Sequence, residues 1–163
     1  MAAHLHAARI MADECLVYRV RRLSRALTRL YDEALRPLGI HAAQLALLNA
    51  VALVGEVEAV GGAPMSRLAD VLAMDLTTLS RNVRPLAKAG LVRIERSPAD
   101  RRVRRVVLTA EGAQRIVAAL PVWREVQDRV VAVLGAEVAA GLRAGMDATL
   151  TAATGARVVA REG

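Results

Sequence analysis

One side of the segment Asp75–Val92 carries hydroxyl and cationic side chains at helical spacing. Thr77, Arg81, Arg84 and Lys88 follow one another at steps of four, three and four residues, which aligns them on one side of a helix. Such a helix suits the DNA major groove, because its first residues can reach base edges while its later cations reach phosphate oxygens. An ordinary amphipathic surface helix would have the same spacing, so the neighbouring segments must decide.

Arg81 is the strongest candidate for direct base recognition on this side of the helix. Its guanidinium can donate two hydrogen bonds to a guanine, the commonest specific contact in the major groove. Thr77, Thr78 and Ser80 lie around it near the start of the helix. Each of these hydroxyl residues can touch a thymine methyl, a base edge or a phosphate oxygen.

The opposite side of the same helix is apolar, which predicts burial in the core. Leu79, Val83 and Leu86 cluster there, with Leu76 near the edge. Pro85 lies on the flank of the polar side, and a proline inside a helix typically costs about 3 kcal/mol and bends the axis. Because the base-reading candidates all precede it, we expect the bend to redirect only the tail. A tolerated proline without such a role is the alternative.

After this helix the hydrophobic period changes from that of a helix to two residues, which indicates a β-hairpin. The segments LVRIERS and VRRVVLT flank the turn PADRR. The alternation of side chains along a strand places Val106 and Leu108 inward and Arg105 and Val107 outward.

The tip of the hairpin is rich in arginine and carries one acid. It holds Asp100, Arg101 and Arg102, with Arg104 and Arg105 behind them. A basic hairpin beside a reading helix is a wing, and its tip can insert an arginine into the narrow minor groove, whose potential attracts guanidinium. Asp100 is expected to orient Arg102 through a charge-assisted hydrogen bond. A solvated arginine-rich turn is the alternative.

Positive charge is concentrated in the middle of the chain. The net charge is +7, and the segment Ser66–Thr109 holds ten Lys or Arg against four acids, a net +6. A focused basic segment between nearly neutral flanks indicates a polyanion partner, with a solvated basic face as the alternative. Ser66 is expected to cap the short helix RLADVLAM and is counted among the DNA-contacting residues.

The segments on both sides of this basic middle predict helices. Hydrophobic residues make up 55% of the chain and aromatic residues 2%, so Leu, Val and Ala must fill the core. Helical periodicity is present in DECLVYRVRRLSRALTRLYDEALRPLG and in IHAAQLALLNAVALV. Thr109 is expected to cap a long helix that bends at Pro121, and AEVAAGLRAGMDATLTAA forms the last helix. The predicted fold is mainly α with a small β-wing, a winged helix-turn-helix flanked by long terminal helices.

Long apolar helices at both ends would expose too much Leu, Val and Ala in a monomer. We therefore expect a two-fold dimer. The residues expected at its interface or in the core that supports it are Leu16, Leu23, Leu27, Val130, Val133 and Leu142.

The basic middle of the chain resembles the winged helix-turn-helix of the MarR (multiple antibiotic resistance regulator) family. The resemblance lies in MSRLADVLAMDLTTLSRNVRPLAKAGLVRIERSPADRRVRRVVLT. Its D-x-R wing motif falls on Asp100 and Arg102, and the Leu-Thr that ends the wing falls on Leu108 and Thr109. The order of the flanking helices extends the resemblance over Asp13–Ala153. It implies one domain over residues 1–163, with dimerisation helices at 12–36 and 110–153 and a winged helix-turn-helix DNA-binding lobe at 41–109.

The resemblance implies a homodimer that binds pseudo-palindromic operator DNA, typically represses, and releases DNA on binding a small ligand or on cysteine oxidation. Cys15 is the only cysteine and therefore the candidate redox switch. In some family members a cysteine early in the first helix is held by tyrosines of the partner subunit. Here Tyr18 and Tyr31 follow Cys15, but Tyr31 comes later than in that pattern. A buried, inert thiol at a helix-packing surface is the alternative.

A pocket for a small-molecule effector is expected between the dimerisation helices and the winged domain. Tyr31, His41, Gln44 and Trp123 are the polar or aromatic residues that could line it. Each of them can equally be a core or surface residue.

The sequence offers no constellation for catalysis. His4 and His6 lie near the N-terminus, His41 stands alone, and no Ser/His/Asp set, glycine-rich phosphate loop or ligand cluster is present. We therefore expect no enzyme activity, no cofactor and no metal. The longest apolar run is too short and too polar to span a bilayer, so we expect a cytoplasmic protein that does not enter membranes. A winged-helix module that binds other proteins is a third class, which salt-dependent DNA binding would distinguish.

Overall fold

Helices dominate both ends of the chain, and a small sheet lies between them. The computed structural model describes residues 2–58 and 61–154. The elements in chain order are α1 (Ala2–Glu14), α2 (Leu16–Leu35), a 3-10 turn (Arg36–Leu38), α3 (Ala42–Val57), β1 (Ala63–Pro64), α4 (Met65–Val71), α5 (Leu76–Lys88), β2 (Val92–Arg96), β3 (Arg104–Leu108), α6 (Ala110–Leu134) and α7 (Ala136–Thr154).

Leucine and valine side chains form one core around α3. Leu48 and Val51 of α3 are almost completely buried, and Leu35 of α2 and Leu68 of α4 are buried against the same cluster. α3 contacts α2, α4, α5 and α6 as well as β1 and β3. Burying one such side chain stabilises the fold by about 1.5–3 kcal/mol, so this core fixes where α5 and the sheet lie.

Three short antiparallel strands form the sheet, in the order β1–β3–β2. β2 and β3 pair from Val92 opposite Leu108 to Arg96 opposite Arg104, which confirms the predicted hairpin. β1 pairs with the other edge of β3 and was not predicted from the sequence. A strand of two residues that includes a proline carries no alternating pattern by which to recognise it.

The N-cap residues predicted for α5 and α6 are found in the structure, but the one predicted for α4 is not. Asp75 and Thr109 each accept a hydrogen bond from an amide three residues further on, as N-caps do. The prediction that Ser66 caps α4 is wrong. The chain leaves β1 at the extended Pro64 and is already helical at Met65, so Ser66 lies inside the first turn.

The helix predicted to start at Asp13 begins at Leu16 as α2, and a separate helix that was not predicted, α1, precedes it. Cys15 has an extended backbone between α1 and α2, and its Sγ accepts a hydrogen bond from the Tyr18 amide at 3.4 Å. His4 and His6 lie in α1. No glycine or proline marks the break, because the cysteine itself serves as the N-cap.

Apolar side chains remain uncovered on α2, α6 and α7. Leu16 is 74% exposed and Val133 is 87% exposed, and Leu23 and Leu142 are also exposed. Leu27 and Val130 are half-buried.

Within 2–58 and 61–154 no single helix is long and apolar enough to cross a membrane. One pair of helical segments, Leu16–Leu38 and Ala42–Val57, bent by 78°, satisfies length and composition only when taken together.

Candidate nucleic-acid interface

The two sides of α5 are as different in the structure as in the sequence. Leu79, Val83 and Leu86 are completely buried, which confirms the predicted core side and fixes the rotation of the helix. The opposite side is exposed along its length. We call this side the recognition stripe; it consists of Thr77, Arg81, Arg84 and Lys88.

Leu76 does not belong to the core side. It was expected at the core edge but is 55% exposed, because the first helical residue after the Asp75 cap is not covered by another element. Its side chain lines the concave surface described below, where it offers an apolar contact beside the recognition stripe.

Asp75 fixes the start of α5 through two hydrogen bonds. Its Oδ1 accepts from the Thr78 amide at 2.8 Å and its Oδ2 accepts from the Thr78 hydroxyl at 2.7 Å. These bonds, the hydroxyl one first, hold the pKa of Asp75 below its ordinary value. The Thr78 hydroxyl therefore donates its proton within the cap, and only its methyl group and lone pairs are left for DNA.

Pro85 lies on the exposed side of α5, as predicted. The helix continues through it to Lys88, and the Pro85 carbonyl accepts a hydrogen bond from the Ala89 amide at 2.9 Å. The candidate base-reading residues all precede Pro85, and the amide that Pro85 lacks would have bonded the Arg81 carbonyl. The bend stays a prediction.

The tip of the wing, residues 97–103, is ordered by Asp100. Its Oδ1 accepts from the Arg102 amide at 2.9 Å and from Arg102 Nε at 3.4 Å, and its carbonyl accepts from the Val103 amide at 2.9 Å. The predicted hydrogen bond between Asp100 and Arg102 is therefore present. The Arg102 side chain is 94% exposed, so Asp100 holds the Arg102 backbone and Nε while the two terminal nitrogens of the guanidinium stay open to solvent.

The start of α5, the start of α4 and the wing enclose a concave surface of about 660 Å³. It gathers seven of the eleven residues predicted to contact DNA. Thr78, Lys88, Asp100 and Arg101 are not in its lining; Arg101 lines a smaller depression on the wing. The concave surface is lined by Met65, Ser66, Leu76, Thr77, Ser80, Arg81, Arg84, Arg102, Val103 and Arg104.

The cations of this surface are available to an anionic partner. Arg81, Arg84 and Arg104 form no ion pair with any residue of the part of the chain that the structure describes. The one ion pair at the surface joins Arg102 to Asp100, and both side chains are largely open to solvent. Unpaired guanidinium groups around a concavity produce a positive potential, which favours a polyanion such as DNA.

Arg105 is a residue whose place the sequence did not reveal. The alternation of β3 predicted an outward, solvated side chain, but Arg105 is only 6% exposed. Its guanidinium donates to the Gly62 carbonyl and lies 3.6 Å from the Glu58 carboxylate. The alternating pattern places Arg105 and Val106 on different faces of the sheet. No local signal in the sequence shows that Gly62 and Glu58 contact the Arg105 side.

The four candidate ligand-binding residues do not line one cavity. Tyr31 lies in an apolar groove of about 500 Å³ between α2, α6 and α7. Its hydroxyl donates to Gln127 Oε1 at 2.7 Å, and burial raises its pKa. His41 and Gln44 form the start of α3, where the His41 amide donates to Gln44 Oε1 at 3.1 Å. Trp123 is 37% exposed on α6 and lies outside the groove.

Cys15 is a partly buried thiol at the start of α2. Within the described residues no group of three or more His, Cys, Asp or Glu side chains is arranged to hold a metal ion.

Comparison with known proteins gives a consistent result. The sequence profile of the MarR family matches residues 38–103. The crystal structure of the Mycobacterium tuberculosis transcriptional regulator MosR in complex with DNA is 35% identical, with 86% of this chain and 96% of that chain covered and a TM-score of 0.74. No curated protein matches the chain.

Two further solved structures are similar. The C80S mutant of MarR from Escherichia coli, complexed with operator DNA, is 25% identical over 86% of this chain and 97% of that chain, with a TM-score of 0.73. CouR from Rhodococcus jostii, bound to p-coumaroyl-CoA, is 18% identical over 85% of this chain and 93% of that chain, with a TM-score of 0.69. The latter similarity concerns the fold alone.

Proposed function

Because the chain belongs to the MarR family of DNA-binding transcriptional regulators, which are not enzymes, we propose that it is a homodimeric repressor. In this proposal each subunit places α5 in the major groove of one half of a pseudo-palindromic operator. A small ligand then weakens the complex. A protein with this partner is expected in the cytoplasm.

The observation that carries the proposal is the concave surface between α4, α5 and the wing. It places Thr77, Ser80 and Arg81 beside the cations of the wing on one face of the protein. A helix in the major groove and a hairpin over the adjacent minor groove require this arrangement. Arg81 is the proposed guanine-reading residue, and Arg84 and Lys88 are the proposed phosphate contacts.

The wing residues are proposed to contact the adjacent minor groove and backbone. Arg102 is the proposed minor-groove residue, and Asp100 orients it by accepting hydrogen bonds from its backbone amide and its Nε. Arg101 and Arg104 are exposed beside it and are proposed to bind phosphates. Ser66 lies in the first turn of α4 and is proposed to contact the DNA backbone through its hydroxyl.

The proposed dimer explains why so much apolar surface is uncovered on α2, α6 and α7. Exposed patches of this kind in a monomer mark an interface, and a two-fold axis would bury the same patch on both subunits. Leu16, Leu23, Val133 and Leu142 are the exposed members. The lobe of residues 41–109 would then lie on the DNA, with 12–36 and 110–153 holding the two subunits together.

The part of the groove next to Tyr31 is the proposed effector site, while Leu23, Val133 and Leu142, which also line the groove, are proposed to pack against the partner subunit. The lining of the groove is mainly apolar, and its polar members are the hydrogen-bonded Tyr31 and Gln127 together with Arg129 and Arg143, which suits a small, mostly apolar or aromatic compound. CouR, with the same fold, binds an aromatic acyl-CoA. Of the four residues considered from the sequence, Tyr31 is the one that this groove supports.

Selection of bound sequences from a pool of random duplex DNA tests the proposal. We expect enrichment of two inverted half-sites whose centres are about one helical turn, roughly 10 base pairs, apart. Sedimentation of the protein alone should show a dimer at micromolar concentration. A stable monomer would refute the dimer, and a pool without enrichment would leave only non-specific electrostatic binding.

A screen of small aromatic compounds against the selected complex tests the effector site. A compound that releases DNA from the wild-type protein should have a weaker effect on a Tyr31→Ala variant. Equal release from both proteins would place the ligand outside the groove.

A further inference from the structure

Arg105 is the one charged residue that is buried among the residues that the structure describes. Its Nε and one terminal nitrogen donate to the Gly62 carbonyl at 3.1 and 2.6 Å. The same terminal nitrogen lies 3.6 Å from Glu58 Oε2. A guanidinium that is removed from water needs such partners, and the two-pronged geometry fixes its direction.

The backbone that receives these bonds lies unusually close to β3. Gly62 has a φ of +76°, and a Cβ at this position would lie 2.7 Å from Val107 Cγ2 and 3.1 Å from the Val106 carbonyl oxygen. A residue other than glycine would push the segment away from the strand. The Gly62 carbonyl is therefore held against β3, where the Arg105 side chain reaches it.

These contacts connect the wing to the core helix of the domain. Glu58 directly follows α3, and Gly62 directly precedes β1, which pairs with β3. Arg105 lies on the central strand, three residues from Arg102. Because an extended chain spans at most about 3.3–3.6 Å per residue, the backbones of Arg105 and Arg102 are no more than roughly 11 Å apart. The direction in which the wing projects thus depends on a contact at its base.

We propose that Arg105 is a positioning residue for DNA binding: it fixes the wing relative to α5 so that both reach the duplex together. Arg105 does not itself touch DNA in this proposal, since its guanidinium is buried and bonded to the Gly62 carbonyl. The proposal rests on the proposed contact of the wing with DNA. Arg105 would therefore affect DNA binding only indirectly, by setting the position of Arg102 and its exposed neighbours.

A double-mutant cycle on a duplex selected by the wild-type protein tests this role. The first change is Arg105→Met, which retains length but removes the donors. The second removes the wing cations together, as Arg101→Ala, Arg102→Ala and Arg104→Ala. Arg93→Met is the matched control, because Arg93 is an exposed arginine of the neighbouring strand. Thermal unfolding and sedimentation establish that each variant is folded and dimeric.

In the wild-type background we expect removal of the wing cations to weaken binding by about tenfold or more. In the Arg105→Met background the same removal should change Kd by less than about threefold, because the wing is no longer held on the DNA. Arg93→Met should retain the full effect. The slope of log Kd against log salt should fall as far in Arg105→Met as in the wing-cation variant.

The outcomes separate the possible failures. If the wing cations contribute the same factor in both backgrounds, Arg105 only stabilises the fold and the inference is wrong. If removing the wing cations does not change Kd in the wild-type background, the wing does not contact DNA. The inference about Arg105 is then refuted, but the proposed DNA-binding function is not. If no duplex is selected, the proposed function itself fails. Should Arg105→Met not fold, Arg105→Lys, which retains the charge without the two-pronged donor, is used in the same cycle and judged by the same criteria.

Discussion

Replacing Asp100 with alanine should weaken operator binding, although the change removes a negative charge from a surface that faces DNA. Simple electrostatics predicts the opposite, because a carboxylate near phosphates is repelled. The structure shows why the sign should reverse: Oδ1 of Asp100 accepts hydrogen bonds from both the amide and Nε of Arg102. Without the carboxylate, the backbone amide and the Nε of Arg102 lose their partner, and the side chain is free to rotate.

The expected magnitude follows from the exposure of the two side chains. The Arg102 side chain is 94% exposed and that of Asp100 is 47% exposed, so the ion pair contributes about 0–1 kcal/mol. The bond from the amide to the carboxylate adds a contribution of about 1 kcal/mol. Relief of phosphate repulsion offsets part of the loss, by less than about 1 kcal/mol at ordinary salt. We expect Kd to rise about two- to fivefold.

Fluorescence anisotropy with the selected duplex at two salt concentrations measures this change, and two variants serve as controls. Asp100→Asn retains an oxygen acceptor for the Arg102 amide but removes the charge, so it should bind at least as tightly as the wild type. Asp70→Ala removes an exposed acid of α4, and it should not weaken binding. If Asp100→Ala binds the operator more tightly than the wild type, Asp100 is only a repulsive charge and its orienting role is refuted.

Three further changes are expected to have distinct results. Gly112→Ala would press a Cβ against the Leu91 carbonyl oxygen at the start of α6, so its free energy of unfolding in urea should fall by about 3 kcal/mol or more; a loss no larger than that of Gln114→Ala would contradict the packing. The pKa of Asp75 is lowered by its bonds from Thr78, so the cap stabilises α5 fully above the ordinary aspartate pKa of about 4 and this contribution is lost as the pH falls below it. Asp75→Asn should therefore lose less stability on acidification than the wild type, and an identical acid dependence would show that Asp75 is not the titrating group. Peroxide should leave operator binding unchanged, because we interpret Cys15 as an inert N-cap; a response in the wild type that Cys15→Ser lacks would establish a redox switch instead.

The sequence predicted those features of the interface that depend on local periodicity. Leu79, Val83 and Leu86 follow a helical period, and this alone placed Arg81 on the exposed side. The alternation after Gly90 likewise located both strands of the hairpin and the position of Asp100 at its tip. Each of these features is decided within about 10 to 20 residues of chain, where hydrophobic period is the dominant signal.

Features that depend on contacts between distant segments were missed or misplaced. Arg105 is buried where Gly62 and Glu58 contact it, across more than forty positions of sequence. β1 forms because β3 has a free edge beside Pro64, and that strand displaces the expected cap at Ser66. The break at Cys15 also escaped detection, since cysteine is not among the usual N-cap residues.

Repeating the DNA selection with Arg81→Ala tests the central claim, that α5 reads base sequence, most directly. We predict that this variant still enriches the same inverted half-sites but loses preference at one position in each half, with binding to the original duplex weakened by about 1–3 kcal/mol. Arg84→Ala, next along the recognition stripe, should weaken binding to all duplexes while leaving the selected sequence unchanged. An Arg81→Ala pool with the same preference at every position as the wild type would contradict the claim, because α5 would then contact the backbone without reading the bases.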